Sequence, residues 1–572
     1  MSLQDRRAAL AARFPTWEPL TLDAFLDRCA AEFGERPLVI SDDRTLTYAA
    51  VVDWSRRLAD GLAALGVRPG DRVGMLMANH LEFAPVKFAI ARAGAVAIPF
   101  NFLYRLDELA FVLRQSRCNV LVTMTGFAGQ DQLGMLDSLA PGWESENPAG
   151  FPDLRAVVLL STDGRDRAGV RTVDGLAQLG AATPGAAGHT VSPAAVGDIL
   201  YTSGSTGSPK GVMVGHDAVL RTGYASALTR GFEDGRRVLF SLPCYHMFGY
   251  VEGLLAAMFV GGAIVPRLMF SAADHLAAVE RHHASDVLCV PTMTVALVEH
   301  PARHDHDLSS LFAILSGAAP APVWLWEKVR AELGVTEITT GYGMTETGGA
   351  MTLTRPEDPP ERHSGTVGRP KTAGVAGLPS GALCEYATVD PITSEPLPEG
   401  IEGELRSQGP THMHGYWDEP EQTATTLHDG WVHSGDLGRV GPDGYLRLTG
   451  RSKELYKSGG ELVMPKEIED LVTAAPGVSQ AYAVGVPDDV WGEIGFLWIV
   501  PEPDASLDPD TLLALCRDKL ARFKVPKHAG LIQPADLPTT PTGKVQKFAL
   551  VRLAAERLRA PAAQADPEND GN

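Results

Sequence analysis

Residues 201–212 read YTSGSTGSPKGV, and this stretch decides how the rest of the chain is interpreted. An apolar run, Asp198–Tyr201, leads into it and Gly211–Val214 leaves it, so we expect a strand on each side of a loop. The loop holds glycines, hydroxyl side chains and one lysine, namely Ser203, Gly204, Ser205, Thr206, Gly207 and Lys210. Glycines allow a close backbone approach, hydroxyls donate hydrogen bonds and the lysine supplies positive charge. The pattern therefore predicts a site for the β- and γ-phosphates of a nucleotide.

The spacing differs from that of the common P-loop, in which a glycine, a lysine and a serine or threonine open a helix. A flexible glycine- and serine-rich linker is the other interpretation of these residues. Linkers do not lie between two apolar strands with a single embedded lysine, so phosphate binding is the favoured interpretation.

The composition limits the kinds of partner. The chain has 572 residues, more than one hydrophobic core usually serves, so we expect at least two domains. Its 50 basic and 70 acidic residues give a formal net charge of -20. Nucleic acids and anionic membranes attract positive surfaces, so neither is expected as the main partner.

Cysteine usage and hydropathy predict the compartment. The six cysteines are scattered without a CxxC pair, which is typical of free thiols in a reducing environment. The N-terminal residues lack the apolar run of a signal peptide, and no segment approaches the roughly 18 apolar residues of a membrane span. We therefore expect a cytoplasmic protein without integral membrane contact.

Strand-like and helical patterns alternate in the first half of the chain, as in Tyr48–Leu65 and Arg72–Met77. Such alternation predicts βαβ units around a large, mainly parallel sheet covered by helices. From about Gly365 to Arg447, glycine and proline punctuate short strand-like pieces such as GELRSQG, YWDEP and GYLRLTG. This punctuation predicts a small, β-barrel-like subdomain.

The pattern changes again after Gly450. Helices are expected over Pro465–Ala475 and Pro509–Phe523, and strands over Gln480–Val486 and Gly495–Val500. These elements predict a compact α+β unit that is large enough to fold on its own. The sequence thus predicts an α/β protein with an N-terminal domain over residues 1–450, a C-terminal domain over 451–559 and a disordered tail over 560–572.

The loop YTSGSTGSPKGV resembles the phosphate-loop signature of the adenylate-forming superfamily, and specifically of its AMP-forming acyl-CoA synthetases. Five further motifs of that family follow in the same order across nearly the whole chain. They are SGAAP at Ser316–Pro320, GYGMTE at Gly341–Glu346, DGWVHSGDLG at Asp429–Gly438, GRSKEL at Gly450–Leu455 and PTGKVQK at Pro541–Lys547. The resemblance implies an enzyme that activates a carboxylic acid with ATP and Mg²⁺ and passes the acyl group to coenzyme A.

The resemblance also assigns a nucleotide site. Tyr342 is expected along the adenine ring, Thr345 at the α-phosphate and Glu346 on Mg²⁺. A flat aromatic ring suits a purine face, and a carboxylate is a hard ligand for Mg²⁺. Asp436 would accept hydrogen bonds from the ribose hydroxyls, and Arg451 would bind ribose or phosphate. The further nucleotide-binding residues implied are Thr202, Ser203, Gly204, Ser205, Thr206, Gly207, Lys210, Gly317, Ala318, Ala319, Gly341, Gly343 and Met344.

The C-terminal motifs imply a mobile lid that serves two successive steps. The acid first attacks the α-phosphate of ATP, giving acyl-AMP and pyrophosphate, and the thiol of coenzyme A then displaces AMP. Lys544 matches the catalytic lysine that bridges the carboxylate and the α-phosphate in the first step. Lys453 matches the hinge residue of the lid. The residues implied to face coenzyme A are Lys457, Ser458, Gly459 and Gly460.

The segment PCYHMFGY, Pro243–Tyr250, corresponds to the acyl pocket of the family, and His246 matches a gate position near the carboxylate. The implied pocket residues are His246, Met247, Phe248, Gly249, Gly348 and Gly349. The glycines of GYGMTETGG leave side-chain-free space nearby, so a fatty, aryl or bulky alicyclic acid is expected. The segment lacks the aspartate that grips a substrate amine in peptide-synthetase domains, which disfavours an amino acid.

Two main alternatives stay open, besides a luciferase-like oxygenase, whose first step would still be adenylation. An acyl-AMP ligase would load the phosphopantetheine of a carrier protein, which would be a separate chain because no LGxDS-type carrier segment follows. A nucleotide-binding regulator without catalysis is the second alternative, and the presence of Lys544, Glu346, Asp436 and Arg451 together argues against it. We expect a monomer or a homodimer.

Overall fold

The computed structural model of the protein describes residues 1–202, 209–319, 321–458, 461–488, 491–503, 505–520, 522–539 and 545–559. The predicted site residues Ser203, Gly204, Ser205, Thr206, Gly207, Gly459, Gly460 and Lys544, together with the tail 560–572, lie outside these ranges. The side chains of Lys453 and Lys457 also lie outside the described part of the chain.

Two mainly parallel sheets, where one was expected, form the larger part of the described chain. The phosphate-loop sheet has eight strands in the spatial order Gly415–Tyr416, Lys210–Gly215, Val196–Thr202, Val96–Pro99, Arg72–Leu76, Val120–Met124, Ala156–Leu160 and Arg171–Thr172. The second sheet has seven strands in the order Glu337–Thr339, Ala313–Ser316, Asp286–Cys289, Arg237–Phe240, Ala263–Pro266, Pro37–Ile40 and Thr45–Thr47. Val39 pairs with Ile264, so strands distant in sequence share a sheet, which a local pattern does not reveal.

Helices connect the strands and cover both sheets, as the alternating pattern predicted. The α-helices span Leu3–Arg13, Leu22–Phe33, Tyr48–Ala64, Phe83–Arg92, Leu106–Gln115, Gln132–Leu139, Val173–Ala182, His216–Arg230, Ala256–Met258, Ala272–His282, Pro291–Glu299, Val323–Leu333, Pro360–Gly365, Pro420–Thr426, Pro465–Thr473, Pro509–Lys519 and Lys547–Arg559. A π-helix spans Phe248–Leu255, and 3₁₀ turns span Pro301–His304, Thr345–Thr347, Gly374–Ala376, Ser452–Glu454 and Pro534–Asp536. The helix predicted over Pro509–Phe523 ends at Lys519, because the backbone of Leu520 is extended. Leu520 and Phe523 both pack against the C-terminal core.

Three smaller sheets complete the described fold. The hairpin sheet consists of Gly341–Met344, Gly349–Leu353 and Arg369–Pro370. The predicted β subdomain contains Glu385–Val389, Gly403–Gln408, Leu427–His428, Trp431–Val440 and Leu446–Arg451, and the C-terminal sheet contains Tyr456–Ser458, Glu461–Val463, Val478–Asp488, Gly492–Pro501 and His528–Leu531. The assignment of YWDEP to the β subdomain was wrong, because Tyr416 pairs with Val212 at the edge of the phosphate-loop sheet.

Buried apolar residues cluster separately in the two parts of the chain. The clusters of the larger part extend to Tyr416, and those of the smaller part begin at Tyr456. The predicted α/β class, with a large N-terminal and a small C-terminal part, is confirmed. All six cysteines are buried free thiols. Among the described helices, none combines the length and the apolar character needed to cross a membrane.

Candidate active site

The predicted phosphate loop joins two antiparallel strands of the phosphate-loop sheet. Thr202 pairs with Lys210 across these strands, so the two ends of the loop stand side by side. The hydroxyl of Tyr201 donates a hydrogen bond to Gln115, which in turn exchanges hydrogen bonds with Trp417. The base of the loop is therefore fixed by side chains from three segments of the chain.

Lys210, Glu346 and Tyr416 meet beside the base of the loop. Lys210 Nζ lies 5.3 Å from the centroid of the Tyr416 ring, and the Tyr416 hydroxyl donates to Glu346 Oε1 at 2.8 Å. Glu346 is 8% exposed, and this burial raises the pKa of its carboxyl group, while the Tyr416 hydrogen bond and the charge of Lys210 act in the opposite direction. Sequence reasoning missed Tyr416; the aromatic pair in HGYWDEP was the available signal.

The residues at Glu346 fit a magnesium ion that arrives with nucleotide phosphates. Proteins usually hold Mg²⁺ through one or two carboxylates, substrate phosphates and water. Glu346 supplies one buried carboxylate next to the predicted phosphate loop. In the described ranges no group of three or more His, Cys, Asp or Glu side chains could hold a metal ion without such a substrate.

The GYGMTE motif forms the first strand and the turn of a tight hairpin. A Cβ atom on Gly343 would lie 2.1 Å from the carbonyl oxygen of Gly349, and one on Gly341 would lie 2.4 Å from that of Thr352. Gly348 has φ of 83° and would meet the Thr411 carbonyl oxygen at 2.6 Å. These three glycines therefore serve backbone packing, and the expectation that they open space for the acid was wrong.

Tyr342, Asp436 and Arg451 connect three of the predicted motifs. The Tyr342 hydroxyl donates to Asp436 Oδ2 at 2.6 Å, and Arg451 Nε lies 2.9 Å from Asp436 Oδ1. Asp436 and Arg451 also face each other across neighbouring strands. Burial and the charge of Asp436 raise the pKa of Tyr342 well above its ordinary value, so the hydroxyl stays protonated. The predicted adenine and ribose residues thus lie together.

The SGAAP segment lies against both the hairpin and the predicted acid segment. A Cβ atom on Gly317 would lie 3.6 Å from the carbonyl oxygen of Gly341 and 3.8 Å from the Phe248 ring. Ala318 has φ of 72°, a backbone region that residues with a side chain rarely adopt. Ala318 and Ala319 are exposed, so this strained turn is accessible to solvent.

The acid segment leads into the π-helix Phe248–Leu255. His246 is half-buried with its ring 4.5 Å from that of Tyr245, and burial lowers the pKa of His246 to about 4. Its imidazole is therefore neutral at physiological pH. A Cβ atom on Gly349 would lie 3.6 Å from Met247 Cβ, so the segment also adjoins the hairpin. The sequence did not predict the π-helix, because apolar periodicity distinguishes helix from strand but not the rare i→i+5 pattern.

Comparisons with known proteins follow the same division of the chain. A sequence profile of the AMP-binding enzymes matches residues 26–417, and a profile of the AMP-binding enzyme C-terminal domain matches residues 467–544. The chain belongs to the AMP-binding enzyme family. Its membership confirms the resemblance on which the motif assignments depend.

Individual relatives of this AMP-binding enzyme are CoA ligases. The 3-[(3aS,4S,7aS)-7a-methyl-1,5-dioxo-octahydro-1H-inden-4-yl]propanoyl:CoA ligase of Mycobacterium tuberculosis is 34% identical over 93% of this chain and 99% of its own length. Feruloyl-CoA synthase from an Amycolatopsis species is 35% identical over 88% of this chain and 92% of its own. The solved structure of the anthranilate CoA ligase AuaEII with anthranoyl-AMP has a TM-score of 0.79 and 25% identity, covering 97% of this chain and 100% of that one.

The protein is an AMP-forming acyl-CoA ligase that uses ATP, Mg²⁺ and coenzyme A. The prediction of an enzyme is thereby confirmed against the regulator alternative. The carrier-protein alternative is not favoured, since the relatives are named for ligation to CoA. The small-molecule partners of the ligase are a carboxylic acid, ATP and CoA.

Proposed function

We propose that this acyl-CoA ligase activates a hydrophobic acid, of the fatty, aryl or bulky alicyclic class. One observation carries the proposal: the apolar segment Met247–Phe248 lies between Gly317 and Gly349, beside the predicted nucleotide residues. The relatives named above act on indenyl-propanoyl and feruloyl groups, which are bulky and largely apolar. An apolar acid buried against these side chains would gain about 25 cal/mol for each Å² removed from water.

The proposed residue roles follow from charge. Lys210 and the loop hydroxyls bind the phosphates, Asp436 binds the ribose and Glu346 is the protein ligand of Mg²⁺, which would neutralise phosphate charge. Lys544 approaches the carboxylate and the α-phosphate during adenylation. Because His246 is neutral, it acts as a hydrogen-bonding and shape-defining group near the carboxylate rather than as a cation.

A panel of acids tests this proposal. Aliphatic, aromatic and polycyclic acids are scored by acid-dependent pyrophosphate release with CoA present, beside matched amino acids and short polar acids. We expect kcat/KM to be highest for an apolar acid. It should rise about tenfold for each 1.4 kcal/mol of free energy that additional burial of the acid supplies. Preference for an amino acid, or acylation of a holo-carrier protein in place of CoA, would refute it.

We propose Lys453 as the hinge of the lid, and the contacts that precede it support this role. Arg451 Nε lies 2.9 Å from Asp436 Oδ1, and the Ser452 hydroxyl donates to the Gly435 carbonyl oxygen at 3.0 Å. The chain is therefore tied to the β subdomain up to residue 452.

The residue after Lys453 is tied to the C-terminal part. Lys547 Nζ lies 2.6 Å from Glu454 and 2.7 Å from Glu469, which itself accepts a hydrogen bond from the Ala483 backbone. The two carboxylates outweigh the effect of burial and raise the pKa of Lys547, so its positive charge persists. Opposite attachments on either side of residue 453 concentrate any rotation at that residue.

Lys453→Pro should separate the two half-reactions. Proline fixes φ and removes the freedom on which rotation depends, so thioester formation should fall by about 10²-fold while acyl-AMP formation persists. Acid-dependent ATP–pyrophosphate exchange measures the first step, and CoA-dependent consumption of supplied acyl-AMP measures the second. Lys453→Ala keeps the backbone freedom and is the control. Intact thioester formation in the proline variant would show that rotation is not required.

The domain division and the setting of the enzyme are also proposed. We place the start of the lid at the hinge residue Lys453 rather than at the predicted residue 451, because Arg451 and Ser452 contact the β subdomain. The lid then extends to residue 559, and the separate apolar clusters support this division. Six buried free thiols support a reducing compartment, the cytoplasm. Light scattering would distinguish between the two expected states, a monomer and a homodimer.

A further inference from the structure

The π-helix Phe248–Leu255 is enclosed by the elements that form the site. It packs against the helix His216–Arg230, the hairpin strand Gly349–Leu353 and the strand Arg237–Phe240. A Cβ atom on Gly253 would lie 2.7 Å from the Phe240 ring, which shows how closely the π-helix lies on the second sheet. π-Helical turns are rare in proteins overall, but those that exist are often found at functional sites. We therefore expect specific contacts to stabilise this one.

A buried ion pair ties the π-helix to the hairpin sheet. Lys371 Nζ lies 2.5 Å from Glu252 Oε1, with side-chain exposures of 0% and 2%. The other carboxylate oxygen of Glu252 accepts a hydrogen bond from the Ser226 hydroxyl. The Lys371 backbone N–H donates to the Met351 carbonyl oxygen at 2.9 Å, so the lysine extends the hairpin sheet itself.

A second buried pair ties the π-helix to the phosphate-loop strand. The Tyr250 hydroxyl donates to Asp198 Oδ2 at 3.2 Å, and Lys87 Nζ lies 2.5 Å from Asp198 Oδ1. Lys87 Nζ also lies 5.0 Å from the centroid of the Tyr250 ring. Asp198 belongs to the same strand as Thr202, at the entrance of the phosphate loop. The π-helix is thus connected to the strand that leads into the phosphate loop and, through Lys371, to the hairpin sheet that contains GYGMTE.

Stability alone is a weak reason for such pairs. Replacing a buried ion pair by apolar side chains of similar volume is often neutral or stabilising, because desolvation offsets the attraction. The pairs instead fix the orientation of the π-helix, because each carboxylate accepts hydrogen bonds from two fixed partners. The start of the π-helix, with Met247 and Phe248, is thereby held in a set position relative to the strand Val196–Thr202 and to Gly349.

We propose that Glu252, Lys371 and Tyr250 are positioning residues that determine which acids the enzyme accepts. They keep the π-helical turn in register, and so fix the wall of the acid pocket relative to the α-phosphate. The proposal rests on the proposed placement of the acid beside Met247 and Phe248. Reacting atoms must approach within about 3–3.5 Å, and a misplacement of about 1 Å can cost roughly 10²-fold in rate.

The test replaces the hairpin pair by apolar side chains of similar size, in the double variant Glu252→Leu, Lys371→Met. We expect a folded enzyme in which kcat for pyrophosphate release with the best acid falls about 10- to 100-fold, while KM for ATP changes little. The order of preference among acids of different size should change as well. The matched control is Arg6→Met, Glu337→Leu, which removes a mostly buried pair between the first helix and the edge strand of the second sheet.

Tyr250→Phe keeps the test decisive if the double variant does not fold, because Asp198 retains its partner Lys87. It should shift the acid preference in the same direction with a smaller loss of kcat. An unchanged order of acids in folded variants, or equal losses for every acid with a matching rise in KM for ATP, would overturn the proposal. Failure of the proposed function would instead show in the unmodified enzyme, as pyrophosphate release that prefers no hydrophobic acid.

Discussion

Lys544→Ala should lower acyl-AMP formation by about 10²–10³-fold and leave thioester formation from supplied acyl-AMP close to that of the unmodified enzyme. In the first step the carboxylate and the α-phosphate, both anionic, must meet, and a positive charge placed between them stabilises the transition state. In the second step a thiol attacks an acyl group already bonded to AMP, and this charge contributes less.

The described residues on either side of Lys544 support the role proposed for it. Thr539 and Val545, on either side of the segment that contains it, form a β-bridge with each other, and the Gln546 backbone N–H donates to the Pro538 carbonyl oxygen at 2.8 Å. Lys547 of the same motif is held by two carboxylates. The described residues on both sides of Lys544 are thus held in place, which is what a residue that must reach a reacting group requires.

The Lys544→Ala measurement needs the two half-reactions separately. Acid-dependent ATP–pyrophosphate exchange reports adenylation, and release of AMP from supplied acyl-AMP with CoA reports thioester formation. Lys519→Ala removes an exposed lysine elsewhere in the C-terminal part and serves as the matched control. Equal loss in both steps would contradict the assigned role, since a general structural defect would give that pattern.

The sequence was sufficient to predict those features that depend on residues close to one another in the chain. Glycine-rich turns between apolar runs predicted the strands on both sides of the phosphate loop, and the pairing of Thr202 with Lys210 confirms them. The family resemblance implied that Tyr342 and Asp436 bind one nucleotide, and in the structure the Tyr342 hydroxyl lies 2.6 Å from Asp436 Oδ2. Aligned motifs therefore indicate a shared site even though their contacts are long-range.

Contacts that depend on packing were not predictable. Tyr416 reaches Glu346 only because Gly415–Tyr416 adds a short edge strand to a sheet whose other strands lie far away in sequence. The Glu252–Lys371 pair is equally non-local. Asp198, a charged residue inside an apolar run, was a visible sign that a buried partner exists, but the sequence does not identify Lys87 as that partner.

Glu346→Gln is expected to have the second large effect, because it removes the negative charge that would bind Mg²⁺ while preserving size and the hydrogen bond from Tyr416. Loss of such a transition-state contact typically lowers kcat by about 10²–10³-fold. Calorimetric titration of ATP with and without Mg²⁺ should show that the variant loses the Mg²⁺-dependent part of binding. Glu337→Gln is the control, as a partly buried glutamate outside the site whose pKa burial also raises.

The pH dependence sharpens this test of Glu346. Burial raises the pKa of its carboxyl group, so the ionised form that would bind Mg²⁺ is lost at a higher pH than for an ordinary glutamate. Activity should therefore fall as the pH decreases through that raised value. Tyr416→Phe removes a hydrogen bond that stabilises the carboxylate, and the fall should then begin at a still higher pH. Rising Mg²⁺ should oppose both shifts, because cation and proton compete for one group. If the fall of activity at low pH does not shift in the Tyr416→Phe variant or with the Mg²⁺ concentration, Glu346 is excluded as the titrating ligand.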